Sequence, residues 1–292
     1  MTYAFMAQDC PDLPVATCCR VMKVSTSGFY AWRANPVPDR DLHDAYLTNT
    51  IVDIHRMSRG SYGSPRVHAE LRLGEGIRCS RKRVERLMRQ AGLAGIDRLR
   101  RRGCTRRDPD AQPGEDLVAR AFDPLDPDRL WMMDVTEHPT GDGKVYLAVV
   151  LDAFSRMVVG WSIADHVRAE LVVDALQMAL WRRQPRPGRT IAHSDHGAQS
   201  QYTANDYLEY CHARQLRPSV PCRTGVCWDN AIVESFWESL KRECLHGRVF
   251  ATRAEARRSI FRWINWYNTS RLHTSLQGIP PLEWEQQYRQ AS

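Results

Sequence analysis

The order of elements between Trp131 and Arg242 admits few folds. Trp131 to Thr136 reads as a strand, Gly141-Asp142-Gly143 as a hairpin turn, and Lys144 to Leu151 as a second, buried strand. Met157 to Ile163 follows as a third strand. Strands and helices then alternate: a helix over Ala169 to Arg182 with an apolar stripe, a strand over Thr190 to His193, and a helix over Thr203 to Arg214. A strand over Arg217 to Val220 and a helix over Asn230 to Arg242 end the series. Three consecutive strands on short turns pair antiparallel, whereas strands separated by helices need crossovers. The expected fold class is therefore α/β, a mixed five-stranded sheet flanked by helices. A helix over Arg253 to Asn268 and a tail complete the chain.

Charge organises the first third. The chain carries 41 Lys and Arg against 34 Asp and Glu, yet residues 56–107 alone hold 16 basic and 4 acidic residues. The remainder is net acidic, as expected of a nucleic-acid grip beside a separate working domain. Ser64-Pro65 reads as the N-cap and first position of a short helix ended by Gly74 and Gly76. Ser80 caps a second helix, with Val84, Leu87, Met88 and Ala91 at helical spacing and Gly92 as its stop. The pair forms a helix-turn-helix candidate. Its second helix is expected to expose Arg81, Lys82, Arg83, Arg86 and Arg89 to phosphate or groove, and the charge continues into Arg98, Arg100, Arg101, Arg102, Arg106 and Arg107.

Pro109, Pro113, Gly114, Pro124 and Pro127 mark a linker. The expected plan is a helical segment over 1–40, a basic helix-turn-helix-like domain over 41–107, a linker over 108–128, an α/β core over 129–246, and a C-terminal helix and tail over 247–292.

Other classes are excluded by composition. With 43% hydrophobic and 26% charged residues the chain is neither wholly disordered nor fibrous. Its longest apolar run, Val145 to Leu151, is far short of the roughly 20 residues that cross a bilayer. Asp9 and Asp12 stand where a signal peptide would carry a basic start and an apolar stretch, so a cytoplasmic location is expected. Nine irregularly placed cysteines suit a reducing compartment. Cys211, His212, Cys222 and Cys227 loosely suggest a zinc cluster; buried, inert thiols are the expected reading.

Three carboxylates stand out by position. Asp134 lies within an apolar strand, Asp195 ends the fourth strand in His193-Ser194-Asp195-His196-Gly197, and Glu234 lies in the first turn of the helix after Asp229-Asn230. A carboxylate in an apolar strand is costly unless paired, and an oxygen-ligated Mg²⁺ can serve several at once. Glu234, Glu238 and Lys241 follow at i, i+4 and i+7 on one helix face. Singly, Glu234 also reads as a carboxylate favouring a helix N-terminus, and Lys241 as a partner of Glu238. Asp152 reads as a turn residue, and His193 and His196 as neighbours of the site or DNA contacts. Trp263, Trp266 and Tyr267, spaced at three and four, read as core packing.

These residues resemble the catalytic subunit of IS3-type insertion-sequence transposases. The resemblance covers Val24-Ser25 through Ser27-Gly28-Phe29-Tyr30-Ala31-Trp32, Tyr62-Gly63-Ser64-Pro65-Arg66, and Arg83-Val84-Glu85-Arg86-Leu87-Met88. It continues through Trp131-Met132-Met133-Asp134-Val135-Thr136, Asp152-Ala153-Phe154-Ser155-Arg156, His193 to Gly197, Cys227-Trp228-Asp229-Asn230-Ala231, Glu234-Ser235-Phe236 and Trp266-Tyr267-Asn268. It implies a ribonuclease H-like, retroviral-integrase-type core whose Asp134, Asp195 and Glu234 hold two divalent ions, Mg²⁺ or Mn²⁺. Asp134 would bridge the ions, with Asp195 on one and Glu234 on the other, and Lys241 would steer DNA phosphate. The implied activity is cleavage at the element's terminal inverted repeats and joining of a 3′-hydroxyl to a new phosphate in target DNA. The implied partners are DNA, further copies of the chain in a synaptic complex, and an upstream product of the OrfA type, supplied separately or as a frameshift fusion.

Two departures accompany the resemblance. Thirty-eight residues lie between Asp195 and Glu234 where the family usually has 35, and His138 replaces an expected aromatic residue. The alternative is a catalytically inactive DNA-binding protein derived from a transposase. A tyrosine recombinase is disfavoured because no histidine begins an H-x-x-R element. A hybrid-cutting ribonuclease would have no use for the basic first third.

Overall fold

The computed structural model describes residues 2–96, 117–118, 122–194, 200–202, 204–220, 231–245 and 248–291. Its contacts separate into two units, Met1–Gly95 and Ile96–Ser292.

The first unit is helical. Helices α1 (Thr2–Asp9), α2 (Val15–Val21) and α3 (Thr26–Ala34) enclose Met6, Cys18, Cys19 and Phe29. Helices α4 (Asp39–Met57), α5 (Ser64–Leu73) and α6 (Arg81–Gln90) pack through Leu47, Ile51, Ile54, Val67, Leu71, Val84, Leu87 and Met88, all buried. Ser80 caps α6 as expected, its hydroxyl accepting from the Arg83 amide. Gly92 has φ +68°, the left-handed conformation that closes a helix without a Cβ penalty. The cap of α5 corrects the sequence expectation. It is Gly63, and Ser64 and Pro65 already lie in the helix, where proline's missing N–H falls among donors unpaired in any first turn.

The second unit is built on a five-stranded sheet in the order β3-β2-β1-β4-β5. Strands β1 (Leu130–Thr140), β2 (Gly143–Asp152) and β3 (Val158–Ala164) pair antiparallel, while β4 (Ile191–Ser194) joins β1 and β5 (Arg217–Ser219) joins β4 in parallel. This is the mixed sheet expected from the element order.

Period-two alternation along β1 sends side chains into two cores. Trp131, Met133 and Val135 pack with α7 (Ala169–Arg183) and α8 (Asn205–Ala213) on one face. Leu130 and Met132 pack with α9 (Ala231–Leu240) and α10 (Arg253–Thr269) on the other. Gly160 on β3 lets α7 come close, since a Cβ there would overlap the carbonyl of Ala175 and the side chain of Ala179.

Two features depart from the sequence reading. The helix expected over Asn230 to Arg242 gives way at Lys241 to a π-helical segment, Lys241–Leu245. The tail contains a further helix, α11 (Pro281–Ala291), docked by a buried ion pair. Arg183 donates to Glu285 at 2.7 Å and to Asp128 at 2.7 Å, and the Arg183 and Glu285 side chains are 8% and 3% exposed.

Candidate active site

Asp134 continues the even positions of β1 and so faces α9, where the apolar row of Leu130 and Met132 ends. There it meets Trp237, whose indole N–H donates to Oδ2 of Asp134 at 2.7 Å. The other oxygen, Oδ1, accepts the Val135 amide at 2.7 Å. Asp134 is half-buried. Glu234 lies one turn before Trp237 on α9 and is exposed. Thus β1 and α9 bring Asp134 beside the helix that carries Glu234.

The third expected residue, Asp195, lies outside the described residues. Its predecessor is placed: Ser194 at the end of β4 pairs in register with Met133, the residue before Asp134. Among the described residues no three His, Cys, Asp or Glu side chains group closely enough to hold a metal ion. The donor chemistry nonetheless suits a hard divalent cation. Asp134 and Glu234 offer only carboxylate oxygens, and an ionised carboxylate has about four acceptor positions, so bonds from Trp237 and Val135 are compatible with ligation.

Tyr202 is fully buried nearby, against the edge of Tyr207. Burial, with the charge of Asp134 adding to it, pushes its phenol well above the usual range. Among the described residues its hydroxyl has no hydrogen-bond partner.

Lys241 opens the π-helical segment and is exposed. Glu238 pairs with Arg242, at i+4. Partial burial, and then the charge of Lys241, lower the pKa of His138 on β1. His138 does the packing work of the aromatic expected there, meeting Phe250 edge to face at 5.7 Å between ring centres.

Some expectations change in detail. His193 is buried, its Nδ1 3.1 Å from the Ser219 hydroxyl across β4 and β5, so it is a core residue and not a DNA contact. Cys211 is buried and pushed up to about 11 by that burial, whereas the adjacent His212 is exposed, so successive helix positions point the two apart. Cys222 and Cys227, like His196, lie outside the described residues. Asp152 is a turn residue: its buried carboxylate accepts from the amides of Asp128, Phe154 and Ser155. Trp263 and Tyr267 are core residues stacked around Phe236.

The basic helix α6 is less open than its sequence suggested. Arg81, Lys82 and Arg89 are exposed, but Arg83 and Arg86 are half-buried and each reaches Asp44 of α4 at 2.6 Å. Sequence alone missed this because Asp44 lies 39 and 42 residues upstream. Arg86 and Arg83 hold the Asp44 carboxyl below the usual carboxylate range, the hydrogen bond from Arg86 contributing most. Lys82, Arg83 and Arg86 line a groove of about 640 Å³ with Arg40, His43 and Ser80. Arg100, Arg101 and Arg102 lie outside the described residues.

Residues 124–227 match a family profile described as an integrase core domain, 219–281 a second profile of the same description, and 41–102 an HTH-like domain. The chain is 35% identical over 288 residues, 98% of each protein, to "Transposase InsF for insertion sequence IS3A" of Escherichia coli (strain K12). It is 34% identical over 272 residues to "Putative transposase for insertion sequence element IS986/IS6110" of Mycobacterium tuberculosis (strain CDC 1551 / Oshkosh), covering 91% of this chain and 96% of the other. Among solved structures, the HTLV-2 integrase catalytic core domain in complex with magnesium aligns with 55% of this chain and 98% of its own, at 17% identity and a TM-score of 0.42. With its integrase core, its HTH-like domain and full-length relatives at this identity, the chain belongs to the IS3 family of insertion-sequence transposases, enzymes of the polynucleotidyl-transferase class.

Proposed function

We propose that this chain cleaves DNA at the terminal inverted repeats of an insertion sequence and joins the freed 3′-hydroxyl to a new phosphodiester in target DNA. Asp134, Asp195 and Glu234 are the divalent-metal ligands in this reading. The observation that carries it is the meeting of β1, β4 and α9. Asp134 is hydrogen-bonded to the helix that bears Glu234, and Ser194, one peptide before Asp195, is level with Met133. A pair of Mg²⁺ or Mn²⁺ ions in such an oxygen set would activate the attacking oxygen and offset charge on the leaving one.

The chain's own residues supply orientation and DNA grip. Trp237 and the Val135 amide hold the Asp134 carboxylate in one plane. Lys241, exposed on the same side of β1 as His138, attracts phosphate beside the site. Arg81, Lys82 and Arg89 of α6, with Arg100, Arg101 and Arg102, supply the sequence-independent attraction to DNA, whereas Arg83 and Arg86 contribute through the groove they share with Lys82. Several copies of the chain, joined by an upstream OrfA-type product, would assemble on the two element ends in the cytoplasm.

The test is nicking of DNA that carries the element's ends. Nicking that requires Mg²⁺ or Mn²⁺ and disappears with Asp134→Ala supports the reading. End binding without nicking by the unaltered chain would leave a DNA-binding protein derived from a transposase.

A further inference from the structure

Trp237 has ample reason to be buried. It lies in the α9 core beside Val233, Phe236 and Leu240, with its ring edge to face on Phe236 at 4.9 Å between centres. A phenylalanine would keep the ring contact with Phe236 and leave only a small void. What it would lack is the indole N–H, and this donor goes to Oδ2 of Asp134 at 2.7 Å. A buried N–H needs one acceptor, which any carbonyl could supply. Here the acceptor is a carboxylate, and a bond to its ionised form is of the stronger, charge-assisted kind. The donor also comes from the helix carrying Glu234, three residues earlier. The Val135 amide holds the second oxygen, so two elements fix the plane of one carboxylate.

We propose that Trp237 is a positioning residue for metal loading, its indole N–H orienting the Asp134 carboxylate toward the bound ion and tying the Glu234 helix to β1. This rests on the reading of Asp134 as a metal ligand. Groups that hydrogen-bond to ligating carboxylates change metal affinity or activity by roughly 10- to 100-fold when removed.

The experiment compares the full chain with Trp237→Phe and Asp134→Ala. Calorimetric titration of the metal-free proteins with Mn²⁺ is expected to show the dissociation constant raised about tenfold or more by Trp237→Phe. End-DNA affinity without metal should stay within about twofold of the unaltered chain, because the indole points at a carboxylate and not at phosphate. In the ¹⁵N–¹H indole spectrum of the nine tryptophans, Asp134→Ala is expected to move one slowly exchanging resonance upfield and speed its exchange. Unchanged Mn²⁺ affinity in a folded Trp237→Phe chain overturns the proposal, as does an indole spectrum indifferent to Asp134→Ala. The second readout decides the matter if Trp237→Phe does not fold. Mn²⁺ binding unaffected by Asp134→Ala defeats the reading of the site itself, whereas binding lost in Asp134→Ala but intact in Trp237→Phe defeats only the positioning role.

Discussion

Ser194 on β4 stands level with Met133 on β1 in a parallel pair. The next residue in sequence after each member of this register pair is an aspartate, Asp134 after Met133 and Asp195 after Ser194. Asp195→Asn is therefore expected to reduce metal-dependent nicking by about 1000-fold or more while leaving end binding within about threefold. Nicking assays run beside gel-shift titrations check this. Nicking within tenfold of the unaltered chain would remove Asp195 from the site.

Asp44 restrains the basic helix. Its carboxylate occupies Arg83 and Arg86, so Asp44→Ala frees two guanidiniums at the groove that Lys82 and Arg40 also line. The expected result is tighter nonspecific DNA binding with a salt dependence steeper by about one to two counterions. The link between α4 and α6 weakens at the same time. Because the Asp44 pKa is lowered, its stabilising effect is complete above the ordinary carboxylate pKa and is lost as pH falls through the lowered value. Binding isotherms at several salt concentrations test the first effect. An unchanged salt slope contradicts it.

Arg183 and Glu285 fasten α11 to the sheet unit. Both side chains are buried, so Glu285→Ala leaves the guanidinium with Asp128 as its remaining carboxylate partner and is expected to cost about 3 to 5 kcal/mol. Denaturant unfolding measures it. A loss below about 1 kcal/mol would mean that α11 is held by other contacts.

Asp152 gives a pH signature. Burial pushes its carboxyl up to about 6, against the amide donors that favour ionisation. The folded state thus binds more protons than the unfolded state between about pH 4 and 6, and stability falls as pH rises through that window. The site's share of the fall is about 3 kcal/mol, complete above the raised value. Asp152→Asn does not titrate, so its stability should vary less with pH between 4 and 6 than that of the unaltered chain. It should also be less stable at pH 4, because an amide cannot accept both from Asp128 and from Phe154 and Ser155. Equal pH slopes for the two proteins would contradict the raised value.

The sheet was legible because its signals are local. The apolar run of β2 and the Gly141-Asp142 turn each lie within a dozen residues, each later strand and helix is marked by its own run or stripe, and alternation along β1 already separates Asp134 from Met133. The Trp237 bond to Asp134 was not legible: helical spacing marks Trp237 as buried but says nothing about where its N–H points, 103 residues from its acceptor. Separations of 39 and 42 residues likewise hid the Asp44 clamp. Helix α11 escaped because the row of Pro281, Trp284 and Tyr288 in PLEWEQQYRQA is short and shares its face with a buried charge, Glu285, that sequence reading assigns to solvent. The change to π-helix at Lys241 likewise has no residue-type signature; it accompanies Glu243 turning inward to Arg271, with both side chains almost fully buried.

The most direct measurement is a joining assay in which the purified chain receives pre-cut element-end DNA, a target plasmid and Mg²⁺ or Mn²⁺. If Asp134 holds the catalytic metal, the unaltered chain gives joined products and Asp134→Ala gives none, with both proteins binding the end DNA alike. Joining that survives the loss of the Asp134 carboxylate would contradict that role.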